Sequence, residues 1–113
     1  MIVKTIYFGS NSYKLNQKGK KTIDEIAEIL SSSNVTYLKI FGFASPSGPK
    51  ENNFKLSKKR AYEVYNALNL KKKIDESKFY MTWLGESSDT YSLHFKQAHK
   101  QNRCVDILIF IGK

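Results

Sequence analysis

Residues 40–64 read IFGFASPSGPKENNFKLSKKRAYEV, and this stretch decides the fold. Its opening belongs to a β-branched and aromatic run over residues 36–43, the composition of a strand. Gly42, Pro46, Gly48 and Pro49 then punctuate a tight turn. A polar segment follows. From Ser57 onward apolar residues return at helical spacing, with Ala61, Val64 and Leu68 on the inward side. A helix starting at Ser57 would present unpaired backbone N–H groups and a partial positive charge. Lys58, Lys59 and Arg60 crowd the same turn. Three cations there oppose the helix dipole unless an anion sits close by. The stretch is therefore a candidate carboxylate or phosphate site, beside the plainer reading of a solvated basic turn.

Working outward, residues 2–8 alternate as a strand, with Ile2, Ile6 and Phe8 on one side. Residues 9–13 form a polar loop. A first helix is expected over residues 16–31, with Asn16 as its cap and Ile23, Ile26, Ala27 and Leu30 as its apolar stripe. The second strand spans residues 35–43 and the second helix residues 57–69. A charged connection covers 70–78, and a third strand covers 79–84. Residues 85–101 read as a long loop, with a helical turn near 94–99. The last strand, residues 103–111, is the most apolar. The order β-α-β-α-β-β predicts an α/β (α+β) domain, a mixed sheet with two helices packed on one face. The first two strands should pair in parallel through a helical crossover. In the last strand Val105, Ile107 and Ile109 should face the helices. Cys104, Leu108 and Phe110 should face the other way, joined by Tyr7, Tyr37, Phe41 and Tyr80. That outer face is then either a contact surface or covered by the long loop.

A chain of 113 residues is one domain, 1–113. Its 41% apolar content suits a packed core, and no run approaches the ~20 apolar residues of a membrane span. The opening residues form an amphipathic strand, so no signal peptide is expected there. A single Cys, Cys104, excludes an internal disulfide and reads as a buried thiol. With one Cys and two separated His, no metal site is expected. The net charge of +9 predicts attraction to polyanions, or a Lys-rich surface in which only Lys71, Lys72 and Lys73 form a run. G-x-S-x-G, H-E-x-x-H and Walker-type loops are all missing from the sequence. His94 and His99 are five residues apart, which does not place them on one helical face. Asp75, Glu76, Glu86 and Asp89 are scattered carboxylates with no catalytic partner. No catalytic residues, no cofactor and no enzymatic activity are expected. The aromatic residues follow no RNA-platform motif, so no specific nucleic-acid partner is expected either.

Several short motifs follow in order. They are FGSNSYKL at 8–15, GFAS at 42–45, Gly48, the Asn52 and Asn53 pair, LSKKRA at 56–61, LGES at 84–87 and NRCVDI at 102–107. Together these cover nearly the whole chain, and they resemble the C-terminal domains of the OmpA-like family. That family shows a strand ending in G-x-T-D, then x-x-G, a Y-N pair, L-S-x-x-R-A, G-x-G-E-S and N-R-R-V-E-I. The resemblance implies binding of the diaminopimelate of peptidoglycan stem peptides, through an Asp and an Arg fifteen residues apart. The Arg is present as Arg60. The Asp position is Ser45, and the Thr before it is Ala44. A guanidinium fork matches a carboxylate, but a Ser hydroxyl offers the ligand ammonium only a neutral acceptor. Half of the clamp is missing.

The resemblance therefore implies a ligand-binding set of Ser45, Asn53, Arg60 and Arg103, with affinity for the stem peptide weakened or lost. It also implies a periplasmic domain cut from a longer envelope protein, tethered to the outer or inner membrane through that parent. A second reading stays open, in which the same fold serves as a protein-interaction module of an envelope secretion or pilus complex. A third is a basic domain that meets nucleic acid without specificity.

Overall fold

The computed structural model describes residues 1–44, 50–84 and 103–112. The 45–49 turn, the 85–101 loop with its helical turn near 94–99, and Asn102 lie outside the described residues. Four strands and two helices follow in chain order: β1 (Ile2–Tyr7), α1 (Gln17–Ser32), β2 (Val35–Gly42), α2 (Lys50–Lys71), β3 (Phe79–Trp83) and β4 (Cys104–Ile111). A 3-10 turn, Glu76–Lys78, leads into β3. The expected α+β class and element order are observed, and both helices pack on one face of the sheet.

The strand order is β1-β4-β2-β3. β4 runs antiparallel to both β1 and β2, and β2 pairs in parallel with β3. The expected pairing of the first two strands is therefore corrected. They run in the same direction with α1 between them in sequence, but β4 is inserted between them in the sheet. Apolar content explains the insertion. β4 buries every residue from Cys104 to Ile109. A strand that apolar is best placed with neighbours on both edges and cover on both faces.

α1 starts where expected. The Asn16 side chain accepts a hydrogen bond from the Gly19 N–H at 2.8 Å, satisfying one of the donors a helix start leaves open. α2 does not. It begins at Lys50, seven residues before Ser57. Asn53 and Ser57 favour loops and caps by propensity, yet both lie on the stripe that α2 turns to the protein, with Arg60, Ala61, Val64 and Leu68. The steps of 4, 3, 1, 3 and 4 along that stripe are helical. Because its first members are polar, apolar periodicity alone did not reveal the first two turns. Tertiary burial overrides the local preference.

The main core lies between helices and sheet, built from Ile23, Ile26, Ile40, Val64, Ile107 and Ile109 among others. A Cβ at Gly42 would collide with the Ser57 carbonyl oxygen and meet Ala61 Cβ at 3.0 Å. Glycine at that point lets α2 lie directly on the end of β2.

The outer face carries a second apolar cluster of Phe41, Phe43, Cys104 and Leu108, with Phe110 and Leu84 packed against it. The alternation expected in β4 is thus observed. Tyr7 and Tyr80 are partly open on this face, at 38% and 48% exposure, whereas Leu108 is buried. The face also holds Asp106, which is fully buried. Thr5 Oγ1 donates to its Oδ1 at 2.8 Å, and Oδ2 has no hydrogen-bond partner among the described residues. Burial pushes this carboxyl up to about 6, against the pull of the Thr5 hydrogen bond. Burial, reinforced by Asp106, pushes the Cys104 thiol well up, so the sulfur stays protonated and inert.

Gly42→Ala should lower stability by about 1–3 kcal/mol in urea titrations, as overpacking does. Gly9→Ala, where the added Cβ would meet only Ser12 Cβ at 3.8 Å, is the mild control. Equal effects would show that the α2–β2 approach is not tight. Asp106 takes up its proton more readily folded than unfolded. It should therefore favour folding most at low pH and cost stability as pH rises through about 6. The fall should be about 2 kcal/mol between pH ~4 and ~6.5 and vanish in Asp106→Asn. An unchanged slope in that variant would remove Asp106 as the cause.

Candidate functional site

The loop after β1 supplies the first half of the site. Phe8 N–H donates to the Arg103 carbonyl at 2.7 Å, which fixes the start of the loop to the start of β4. Ser12 N–H donates to the Gly9 carbonyl at 3.1 Å, closing a turn in which Asn11 adopts φ 56°. Asn tolerates this left-handed conformation better than most residues. The turn directs the Gly9 and Ser12 carbonyls towards α2.

Arg60 fills the space between them. It is fully buried, the bulkiest side chain so enclosed among the described residues. Nε donates to the Ser12 carbonyl at 2.8 Å, Nη1 to that of Phe43 at 3.1 Å and Nη2 to that of Gly9 at 3.1 Å. The guanidinium carbon stands 5.5 Å from the centre of the Phe8 ring. One side chain thus joins α2, the loop after β1 and the end of β2. Burial lowers its pKa to about 10, and the nearby Arg103 pushes in the same direction. The group stays cationic at neutral pH. The ion pairs among the described residues join Lys4 to Glu25, Lys55 to Glu51 and Lys71 to Asp24, and none involves Arg60.

The sequence-derived residues come together in part. Arg60 and Arg103 are electrostatic neighbours. Arg103 is half-buried at the start of β4, and its Nε is buried without a hydrogen-bond partner among the described residues. Asn53 is 7% exposed and lies two turns before Arg60 on the buried stripe of α2. Ser45 lies outside the described residues, directly after the buried Ala44. The anion site expected at the backbone of residues 57–59 is corrected. Those N–H groups sit inside α2 and serve its own hydrogen bonds, so no helix start is present there. The cationic character remains, carried by the side chains of Arg60 and Arg103.

Sequence reasoning missed the three carbonyls that receive Arg60. Backbone acceptors carry no residue signature. The available hint was an Arg next to Ala61 on the stripe that also holds Val64 and Leu68. No group of His, Cys, Asp and Glu among the described residues is arranged to hold a metal ion.

The sequence model of the OmpA family matches residues 7–103. The probable lipoprotein YiaD of Escherichia coli (strain K12) is 28% identical over 104 residues, covering 92% of this chain. The chain spans only 47% of that relative, about half its length. The peptidoglycan-associated lipoprotein from Burkholderia pseudomallei superposes with a TM-score of 0.71 at 25% identity, over 93% of this chain and 88% of that one. The OmpA-like domain of FopA1 from Francisella tularensis subsp. tularensis SCHU S4 superposes with a TM-score of 0.75, also at 25% identity, over 98% and 73%.

Arg60→Lys tests the three-carbonyl arrangement. An ammonium on a flexible stem cannot reproduce the planar fork. The expected cost is about 2–4 kcal/mol in urea titrations, because hydrogen bonds to charged groups contribute ~1.5–3 kcal/mol each. A change below ~0.5 kcal/mol, the range of ordinary surface substitutions, would show that the carbonyls do not depend on Arg60.

Proposed function

The chain belongs to the OmpA family, and on that premise we propose that it is a non-enzymatic, peptidoglycan-associating domain of a bacterial envelope protein. In this reading it works in the periplasm as one domain of a longer chain tethered to the outer or inner membrane. Arg60 contacts a stem-peptide carboxylate. Asn53 and the backbone of the 45–48 turn orient the peptide, and Arg103 adds positive charge from just before β4. The observation that carries the reading is the buried cation itself. Arg60 faces no carboxylate among the described residues, and Arg103 adds a second positive charge beside it. The three carbonyls take three of the five N–H groups of the guanidinium, and the other two have no partner among the described residues. Two like charges in partial burial favour an anion between or beside them. The Burkholderia relative, named for its association with peptidoglycan, supports the same substrate class.

Ser45 lowers the expected affinity. Losing a charge-assisted hydrogen bond to the ligand ammonium removes ~1.5–3 kcal/mol, or about one to two decades in Kd. A second reading has its own observation. The full burial of Arg60 and its three internal hydrogen bonds suit a latch that holds the fold whether or not a ligand binds. The domain would then serve as an interaction module among envelope proteins, with wall binding lost.

Sedimentation with purified peptidoglycan sacculi, paired with calorimetry on a diaminopimelate peptide, separates the two. The native chain should bind weakly, and Ser45→Asp should bind about 10–100-fold more tightly. Ser45→Asp is the informative variant because it leaves the Arg60 latch intact. No binding by either form would favour the interaction module. Tight binding by the native chain, with no gain from Ser45→Asp, would sink the proposed role of Ser45.

A further inference from the structure

β3 is an edge strand among the described residues, and α2 has no helical neighbour among them on that flank; α1 packs on its other side, against β1. Trp83, at the end of β3, pairs with Gly42 in the register and belongs to neither apolar cluster. It stands beside Tyr62 of α2, with ring centres 5.7 Å apart and planes at 44°. Lys58 Nζ lies 5.2 Å from the centre of the Trp83 ring. Phe54, Lys58 and Tyr62 follow at four-residue steps on one face of α2. Phe54 is 50% exposed and Tyr62 41% exposed, and neither belongs to a core cluster. By contrast Tyr65 and Phe79, 5.1 Å apart at the inner end of the row, do pack on the core. The outer three rings therefore lie outside both apolar clusters of the described residues, with Trp83 half-buried. A Trp, Tyr and Phe outside the core, with a cation among them, offer apolar ring faces edged by polar groups.

We propose that Phe54, Tyr62 and Trp83, with Lys58, form a stacking platform for the N-acetylhexosamine units of a glycan strand. The assignment rests on the peptidoglycan reading above and extends it from the stem peptide to the sugar. A pyranose ring has an apolar C–H face and a polar rim, which matches the open ring faces of Phe54 and Tyr62 and the Trp83 ring, one side of which carries the Lys58 ammonium as a polar group for the rim. Continuity supports this occupant. Gly42, the register partner of Trp83, lies directly under Ser57 on the stripe that carries Asn53 and Arg60. Neighbouring strands are ~4.8 Å apart and each extended peptide residue spans at most ~3.6 Å, so a stem peptide of a few residues can bridge the two places. A nucleic-acid strand also stacks on aromatic rings, so an oligonucleotide is the control ligand.

Trp83 is the only tryptophan of the chain, so its fluorescence reports on this platform alone. The 113-residue chain is titrated with a peptide-free N-acetylglucosamine oligomer, with a free diaminopimelate peptide and with a single-stranded oligonucleotide. The oligosaccharide should give a saturable change in Trp83 emission. Phe54→Ala and Tyr62→Ala should each weaken it about 3–10-fold, with urea midpoints used to confirm folding. Phe54→Ala alters a half-exposed side chain and keeps the test available if Tyr62→Ala fails to fold. No response to the oligosaccharide up to millimolar concentration overturns the platform, whatever the peptide does. Peptide binding without sugar binding then leaves the stem-peptide reading standing. A tighter response to the oligonucleotide overturns the sugar assignment in favour of a nucleic-acid surface.

Discussion

The guanidinium of Arg60 is the point on which the rest of this structure depends. It is fully buried, and it donates to carbonyls from the loop after β1 and from the end of β2. A charge in that position would be prohibitively unfavourable without compensation. Three carbonyl dipoles and the face of Phe8 supply it. In return the cation joins segments that lie far apart in the chain. The loop after β1, the last residues of β2 and the middle of α2 become one rigid unit. The ligand of the proposed function would meet a preorganised donor at Arg60, because folding has already ordered its long side chain.

α2 makes this arrangement possible through its register on the sheet. Gly42 removes the Cβ that would keep the helix away, so the backbone at Ser57 comes down onto β2. Arg60 then reaches Phe43, and Lys58 and Tyr62 reach Trp83 on the opposite flank. The same helix therefore presents two kinds of chemistry. Its buried stripe carries Asn53 and Arg60, suited to an anionic, hydrogen-bonding group. Its exposed flank carries rings, suited to a flat apolar face with a polar rim. The proposed ligand, a polymer with charged peptides hung on a sugar backbone, contains both.

β4 imposes the other constraint. Antiparallel pairing on both sides places it inside the sheet, where alternate residues serve different faces. Val105, Ile107 and Ile109 complete the core under the helices. Cys104 and Leu108 build the cluster on the outer face. Asp106 falls on that outer side by the same alternation. Its raised pKa follows from burial with a single hydroxyl partner among the described residues. The position makes part of the stability of the domain depend on proton activity.

The sequence by itself determined the parts whose rules are local. Asn16 marked the start of α1, and the alternation in residues 103–111 assigned both faces of β4 correctly. The motif set around GFAS, LSKKRA and NRCVDI identified the family and nominated Arg60 and Arg103. Tertiary structure decided whatever depends on partners distant in the chain. The first two turns of α2 are polar along their buried side, so only packing could show that Asn53 and Ser57 belong to a helix. The interior place of β4 depends on competition among strands for shelter, which no single segment encodes. The acceptors of Arg60 are main-chain carbonyls, identical in every residue type, and only the folded turn at Gly9 and Ser12 gives them direction. Phe54, Lys58 and Tyr62 share a helix face by spacing alone, but Trp83 belongs to a separate strand and no motif links it to them. Trp83 joins Tyr62 only when β3, the edge strand among the described residues, is laid beside α2.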